Sequence, residues 1–375
     1  MISCGEPSGD LYAGALAREI LRAAPGTSIS GLGGDHLRDG GATLTEHFGG
    51  ISVTGLLEVA RLLPKTYATY RRLVRHAAAE RPDVFVAIDF PDFNFRLASA
   101  IRRLGIPVVY YISPQLWAWR PGRMKTMRAI ADRVLVIFEF EKAIYDNAGV
   151  PVDWVGHPLL DVMAPPEPAG ALLRRAGLDP SHPVVALLPG SRRNELREIL
   201  PRLADAALLI RKALPDVQFI VARAPHLSDD LFAPLIALGP IGLVDQQADQ
   251  VLAAADLAIV ASGTVTVQAA LHECPMIVVY RLSPLTYRLG RRFVRVDTFA
   301  MANLVAGRRV VPELIQDEFT PEAVAEHAIA LLRDQGRREA MREDLQRVRA
   351  AIGPPGASAR AAQIVLEVGR RRTSR

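Results

Sequence analysis

Short apolar runs alternate with longer amphipathic stretches along the chain. The runs Asp83–Ile88, Pro107–Ile112, Arg133–Phe138, Val184–Leu188, Val217–Val221, Leu257–Ala261 and Met276–Tyr280 are apolar almost throughout. A strand that is hydrophobic on both faces is covered on both faces, as in a parallel sheet. Segments of helical period lie between the runs. The clearest is Asn194–Leu214, where Leu196, Ile199, Leu200, Leu203, Ala207 and Ile210 form an i, i+3, i+4 stripe. The repeated order of strand and helix predicts a doubly wound α/β fold. It is interrupted once, at Met163–Leu173, where Pro165, Pro166 and Pro168 fall in a stretch without periodicity. Roughly equal α/β halves flank this break, so two Rossmann-like domains facing across a cleft are expected. The expected boundaries are 1–163, 174–340, and a basic helical segment 341–375 that packs back on the first domain.

Composition narrows the class. With 375 residues, half of them apolar, two domains of ordinary size can each bury a core. The chain carries 45 Lys and Arg against 40 Asp and Glu, a net charge of +5. That balance suits an anionic substrate or an anionic membrane surface and gives no reason to expect nucleic acid. Cys4 and Cys274 are too few for a disulfide framework or a zinc cluster, which points to a reducing compartment. No apolar run approaches the ~18 residues of a spanning helix. The chain enters Gly5-Glu6-Pro7-Ser8-Gly9-Asp10 after four residues, with no signal peptide in front. A cytoplasmic protein that can touch a membrane surface is expected.

Candidate chemistry gathers at strand ends. Gly190-Ser191-Arg192 stands where a buried strand becomes a helix. The first N–H groups of a helix have no internal partner and sit at the positive end of its dipole. A glycine permits close approach, a serine caps the helix or donates to an oxygen, and an arginine offers a fork to phosphate. The same residues equally describe a capped helix with solvated arginines. Ser262-Gly263-Thr264 repeats the arrangement after Leu257–Ala261, with Gln268 one turn into the helix on the Thr264 face. In a parallel sheet both loops lie on the ligand-binding side.

The first half has its own pair of loops. Gly5–Asp10 brings Glu6, Ser8, Gly9 and Asp10 after a short first strand, and Gly31–Asp35 (GLGGD) follows. Neither has dinucleotide-fingerprint spacing. In Ala87–Leu97 (AIDFPDFNFRL), Asp89 ends a strand, and Asp92 and Asn94 follow. Asp89 fits a general base, a metal ligand shared with Asp92, or a helix cap. His157 contacts substrate or is structural. Trp117 and Trp119, beside Arg120 and Arg123, line a site or simply pack. Gly55–His76 and Arg281–Arg295 interleave basic and apolar residues, the pattern of a helix lying on an anionic bilayer or of a core helix with a basic outer side.

Taken together, GEPSGD (Gly5–Asp10), DVFVAIDFPDFNF (Asp83–Phe95), YISPQLWAWR (Tyr111–Arg120), VGHP (Val155–Pro158), LLPGSR (Leu187–Arg192), ASGT (Ala261–Thr264), CPMIVVYR (Cys274–Arg281) and NLVAGRRVVPELIQ (Asn303–Gln316) resemble lipid-A-disaccharide synthase in the same order over almost the whole chain. The resemblance implies GT-B architecture and an inverting, metal-independent glycosyltransferase without a cofactor. It would join UDP-2,3-diacylglucosamine to 2,3-diacylglucosamine 1-phosphate and release UDP in lipid A assembly. It implies that Gly190, Ser191, Arg192, Ser262, Gly263, Thr264 and Gln268 hold the UDP-sugar and that Asp89 is the base. It places Glu6, Ser8, Gly9, Asp10, Asn94, His157 and Asn303 toward the acceptor or cleft. Leu56, Leu62, Leu63, Arg71 and Arg72 would meet the inner-membrane surface and acyl chains. A homodimer is compatible with this. Two positions depart from the family pattern. Gln268 stands where a glutamate is usual, and fewer residues precede Gly5, so either the start is set within the first strand or that strand is short. A UDP-sugar epimerase of the same fold, or a non-catalytic sugar-nucleotide or lipid-binding protein, would share the nucleotide loops.

Overall fold

The computed structural model describes residues 1–49, 56–116, 121–224, 227–239, 241–281 and 298–373, and for 56–62, 121, 194 and 372–373 the backbone alone. Trp117, Trp119, Arg120, Gly55 and most of the second basic–apolar stretch (282–297) lie outside the described residues. The chain forms two compact units, Met1–Met163 with Ile352–Arg375, and Ala164–Ala351.

The first unit is built on seven parallel strands: β1 Ile2–Ser3, β2 Ser30–Gly33, β3 Thr43–His47, β4 Phe85–Ile88, β5 Val108–Tyr111, β6 Arg133–Val136 and β7 Val152–Trp154, in the order β3-β2-β1-β4-β5-β6-β7. The second has six: β8 Val184–Leu188, β9 Gln218–Arg223, β10 Ile241–Asp245, β11 Leu257–Ala261, β12 Met276–Tyr280 and β13 Glu313–Ile315, in the order β10-β9-β8-β11-β12-β13. Here too every neighbouring pair is parallel. In each sheet the chain winds outward in one direction, returns to the centre, and winds the other way. The direction reverses between β1 and β4 in the first unit and between β8 and β11 in the second. At such a switch point the two flanking loops diverge and leave a crevice at the carboxyl ends of the strands.

The apolar runs became the central strands because helices cover them on both faces: β4, β5, β8 and β11 are buried at every position. The stripe Leu196, Ile199, Leu200, Leu203, Ala207 and Ile210 is buried along the helix Arg193–Ala213, which packs on the helix Pro321–Arg333. At roughly 1.5–3 kcal/mol for each large side chain, that face outweighs the cost of Pro201 within the helix. The first strand is two residues long. Strands β2, β3, β7, β10 and β13 carry no continuous apolar run. All but β2 lie at or near a sheet edge, where one partner suffices. Strand β2 holds Gly31, one of the glycines of GLGGD. A Cβ there would lie 1.8 Å from the Ile2 carbonyl oxygen, so this glycine serves the close approach of β1 and β2.

The break at Met163–Leu173 is shorter than its composition suggests, since a helix begins at Ala169. The return to the first unit falls at Ile352. There the helix Ala357–Thr373 lies along the helix Pro7–Ala23. Its start is fixed by Asp161, whose carboxylate accepts from the Gly356 and Ser358 N–H groups at 2.6 and 2.7 Å. Arg360 donates to the carbonyls of Val155, Pro354 and Pro355 at 2.8–2.9 Å. No described helix is long and apolar enough to cross a membrane.

Candidate active site

Four of the loops singled out in the sequence, after β1, β4, β8 and β11, are the loops at the two switch points, whereas Gly31–Asp35 lies in and after β2. In the second unit, Gly190 follows β8 and Ser262 follows β11, and these strands pair Leu188 with Val260. Gly190 lies close to the end of β11: a Cβ on it would stand 3.6 Å from Ala261 Cβ. Gly190 has φ +109° and Gly263 φ +149°, backbone that side-chain-bearing residues rarely adopt. The helix-cap position falls to Arg192, in extended backbone and without a side-chain cap, and Ser191 precedes it. The shorter helix Thr264–Leu271 is capped by Gly263, which has no side chain to offer. Neither cap side chain therefore occupies the first-turn N–H groups. Gly263 and Thr264 are exposed, Gln268 is half-buried, and Ser262 donates to the Phe299 carbonyl at 3.2 Å.

Two residues that sequence reasoning missed belong to this loop pair. Glu195, in the first turn of its helix, accepts from Arg192 at 3.2 Å and from the Tyr280 hydroxyl at 3.1 Å. Its carboxylate lies over Gly190, 3.2 Å from where a Cβ would be. Burial first, and Glu195 second, push the Tyr280 phenol well above its ordinary pKa. Glu195 thus aims the Arg192 guanidinium across the loop. Glu313, at the start of β13, accepts from the N–H groups of Phe299 and Ala300 at 2.8 and 3.0 Å and from Asn303 at 2.6 Å. Asn303 is buried. It also takes the Val310 and Val311 N–H groups and donates to the Val311 carbonyl. Its amide is engaged throughout by this network, which sets the segment beside Ser262. A spacing signal for Glu313 existed in NLVAGRRVVPELIQ, but an isolated glutamate in an apolar stretch does not reveal its partners.

In the first unit, Asp89 leaves β4 with φ 43° and Phe90 follows with φ 49°. Two consecutive left-handed residues without glycine store on the order of 1–3 kcal/mol each, and surrounding structure must impose them. It does so through the Asp89 carbonyl, which accepts from the Tyr110 hydroxyl and the Asn94 amide, both at 2.9 Å. The same Asn94 amide reaches the Ile88 and Ser3 carbonyls, and Ser3 donates back to Asn94 Oδ1 at 2.7 Å. Buried Asn94 is thus the tie between the ends of β1 and β4. The Phe90 ring fills the space above Gly5, where a Cβ would come within 2.2 Å of it. The result leaves the half-buried Asp89 side chain at the switch point.

The remaining candidates separate. Glu6 holds the N-cap position of the helix Pro7–Ala23 without a side-chain cap, with Ser8 half-buried and Gly9 buried against Cys4 in its first turn. Asp10 is buried, and its carboxylate accepts from the N–H groups of Gly34, His36 and Leu37 at 2.6–3.1 Å, holding the loop after β2. Asp92 is ion-paired with Arg123. Among the described residues no group of three or more His, Cys, Asp or Glu side chains could hold a metal ion. His157 is buried between Tyr12 and Phe138, both edge-on, and its Nδ1 accepts from the Leu159 N–H at 3.1 Å. Burial lowers its pKa to about 3, with Asp161 opposing the shift, so the ring is neutral with its proton on Nε2. On the helix Leu56–Glu80, the side chains of Leu56 and Leu62 lie outside the described residues. Leu63 and Tyr67 are the largest exposed apolar side chains described in this unit, at 55% and 60%. Arg71 is exposed one turn further on, and Arg72 is paired with Glu46.

Two parallel-sheet α/β units with their candidate loops at the switch points define the GT-B architecture. Solved structures agree on the fold. The UDP-GlcNAc 2-epimerase from Neisseria meningitidis bound to UDP-GlcNAc matches with a TM-score of 0.66 at 14% identity, over 98% of both chains. The glycotransferase of kitacinnamycin matches with 0.62 at 16% identity, again over 98% of both. The family is decided by sequence. Residues 1–368 match the model of lipid-A-disaccharide synthetase. The lipid-A-disaccharide synthase of Geobacter metallireducens is 44% identical over 374 residues, covering 98% of this chain and 96% of that one. That of Anaeromyxobacter dehalogenans (strain 2CP-1) is 43% identical, covering 99% and 97%. The chain belongs to the lipid-A-disaccharide synthase family.

Proposed function

We propose that the chain transfers the diacylglucosamine of UDP-2,3-diacylglucosamine to 2,3-diacylglucosamine 1-phosphate, forming the β(1→6) disaccharide 1-phosphate and UDP. The observation that carries this reading is the coincidence of the family strings with both switch points. In the second unit, the open first turns after Gly190 and Gly263, with Ser191, Arg192, Ser262 and Thr264, receive the diphosphate. Gln268, one turn on, meets the ribose. As the bond to the sugar breaks, negative charge builds on the departing diphosphate. Fixed N–H dipoles and a held guanidinium stabilise that charge without reorganising. Asp89 takes the proton of the attacking hydroxyl, in a single displacement that inverts the anomeric carbon. The strained backbone at Asp89 and Phe90 supports this role, since such strain clusters at working sites. Glu6 and Ser8 lie on the β1 side of the same switch point and contact the acceptor, and buried Gly9 lets the helix start pack on Cys4. Asp10, Asn94, His157 and Asn303 shape the loops through the partners described above.

Both substrates carry acyl chains, and the exposed Leu63–Tyr67–Arg71 stripe supports peripheral attachment to the cytoplasmic side of the inner membrane. The epimerase reading shares the fold at 14% identity, whereas the full-length sequence matches are to synthases. Incubating the purified protein with both acylated sugars tests the proposal. UDP and a disaccharide phosphate should appear together, each requiring both sugars. UDP release without acceptor, or a 2-epimerised donor, would overturn it.

A further inference from the structure

Gln268 does not stand alone. Its Nε2 donates to Asp249 Oδ1 at 3.2 Å, and His272 Nε2 meets the same oxygen at 3.1 Å. Asp249 belongs to the helix Ala248–Ala254, which packs on the helix Thr264–Leu271 carrying Gln268. The side chain of His272 is 7% exposed and that of Asp249 23%, so the triad is largely shielded, with the carboxylate partly open. The open side faces a groove of about 320 Å³ lined also by Gln246, Gln247 and Gln250.

The chemistry of this cluster fixes the state of the amide. An ionised carboxylate only accepts hydrogen bonds, so the NH2 of Gln268 must point toward Asp249 and its Oε1 away. His272 adds a second contact to the same carboxylate oxygen and keeps it in place. An amide that donates to a carboxylate is also polarised: electron density moves onto its oxygen, which becomes a stronger acceptor. Gln268 lies one turn beyond Thr264 on the same helix face. Its oriented oxygen is therefore presented on the side of the Ser262–Thr264 loop.

We propose that Asp249 is a positioning residue for nucleotide recognition: it holds the Gln268 amide with its oxygen outward and polarised, as the acceptor for a ribose hydroxyl of a uridine diphosphate. This rests on the reading of Gly190–Arg192 and Ser262–Thr264 as the diphosphate site. A purely structural tether between two helices would have no stake in which hydroxyls the nucleotide carries.

The test is calorimetric titration of the full chain and its variants with UDP, 2′-deoxy-UDP and 3′-deoxy-UDP. Asp249→Ala should weaken UDP about 3- to 10-fold, the value of one hydrogen bond, and leave at least one deoxy analogue unchanged. The preference for UDP over that analogue then collapses. Gln268→Glu alone should also weaken UDP, because it sets two carboxylates at the separation now spanned by the 3.2 Å hydrogen bond. Gln268→Glu combined with Asp249→Asn should recover affinity to within about twofold, a coupling expected only between groups in contact. That rescue does not depend on Asp249→Ala being stable. Equal loss of UDP and both deoxy analogues in Asp249→Ala, or no rescue in the double variant, overturns the inference while the diphosphate site stands. If Arg192→Ala and Gln268→Ala both leave UDP affinity unchanged, the site itself is misplaced and the inference falls with it.

Discussion

Arg192 and Asp89 divide the proposed work, and their variants should fail in different ways. Arg192→Ala removes a charge-assisted contact to the diphosphate and should weaken UDP by about 1.5–3 kcal/mol in titration. Glu195 then loses the partner it holds at 3.2 Å. Unchanged affinity in a folded variant would place the diphosphate elsewhere. Asp89→Asn keeps shape and tolerates the left-handed backbone, which asparagine adopts readily. It should lower kcat by about 10²–10⁴ with UDP affinity intact, because the lost proton transfer belongs to the transition state. Near-normal turnover would remove Asp89 from the mechanism. Both positions could be picked out in the sequence, since each lies just past the carboxyl end of a buried run, the ligand-binding side of a parallel sheet. Glu195, Tyr280, Asp249 and Glu313 were not, since each acts through a partner 3 to 85 positions away and no local pattern records that pairing.

Elements were legible in proportion to their burial. Strands β8, β11 and β12 fall within the residues that their apolar runs predict, because a strand covered on both faces has no polar position to blur its ends. Strand β3 is half-exposed, and its sequence Thr43–His47 mixes charged and apolar residues as an edge permits. The helix Leu56–Glu80 shows the limit of pattern reading in another way. Its composition fits either a bilayer surface or a core, and burial divides the two along its length: Leu73 and Ala77 are buried, Leu63 and Tyr67 are not. The outward stripe continues in Arg71 and Arg75, both exposed. Replacing Leu63 and Tyr67 with serine and Arg71 with glutamine should release the protein from anionic vesicles in a sedimentation assay. Each basic residue near such a surface contributes about 1 kcal/mol, so Arg71→Gln alone should shift binding about fivefold. Unaltered sedimentation of the triple variant would show that this face does not meet lipid.

At the scale of the whole molecule, two doubly wound units were readable from the alternation of runs and stripes. The return of the chain to its first unit was expected of residues 341–375 and falls at Ile352, but what holds it there was harder to read. The apolar residues that the helix Ala357–Thr373 buries, Ala357, Ala361, Ala362, Val365 and Val368, are small, too modest a face to announce a destination. What secures it is polar: Asp161 at its start and Arg360 around the loop that carries His157. This gives the first unit a specific sensitivity to acid. In the folded state the His157 ring resists protonation until about pH 3, whereas in the unfolded chain it takes a proton near 6.5. Between those values the unfolded state binds more protons, so stability should fall by up to about 1.4 kcal/mol per pH unit as the pH drops below about 6.5. Denaturant titrations from pH 7 to 4 should show this slope, and His157→Gln should flatten it. An equal slope in the variant would assign the acid sensitivity to other groups.

The same return sets a timetable for biosynthesis. The second unit is one uninterrupted stretch and can complete its sheet as soon as it has left the ribosome. The first unit has all its strands by Trp154 but not its last helix. From Met163 to the helix at Ala357 is 194 residues, and at about 5–20 residues per second their synthesis occupies roughly 10–40 s. Through that interval the helix Pro7–Ala23 waits without its cover, although the sheet beneath it has long been made. The half of the protein that begins first finishes last, and its uncovered helix is where a nascent-chain chaperone would find its purchase.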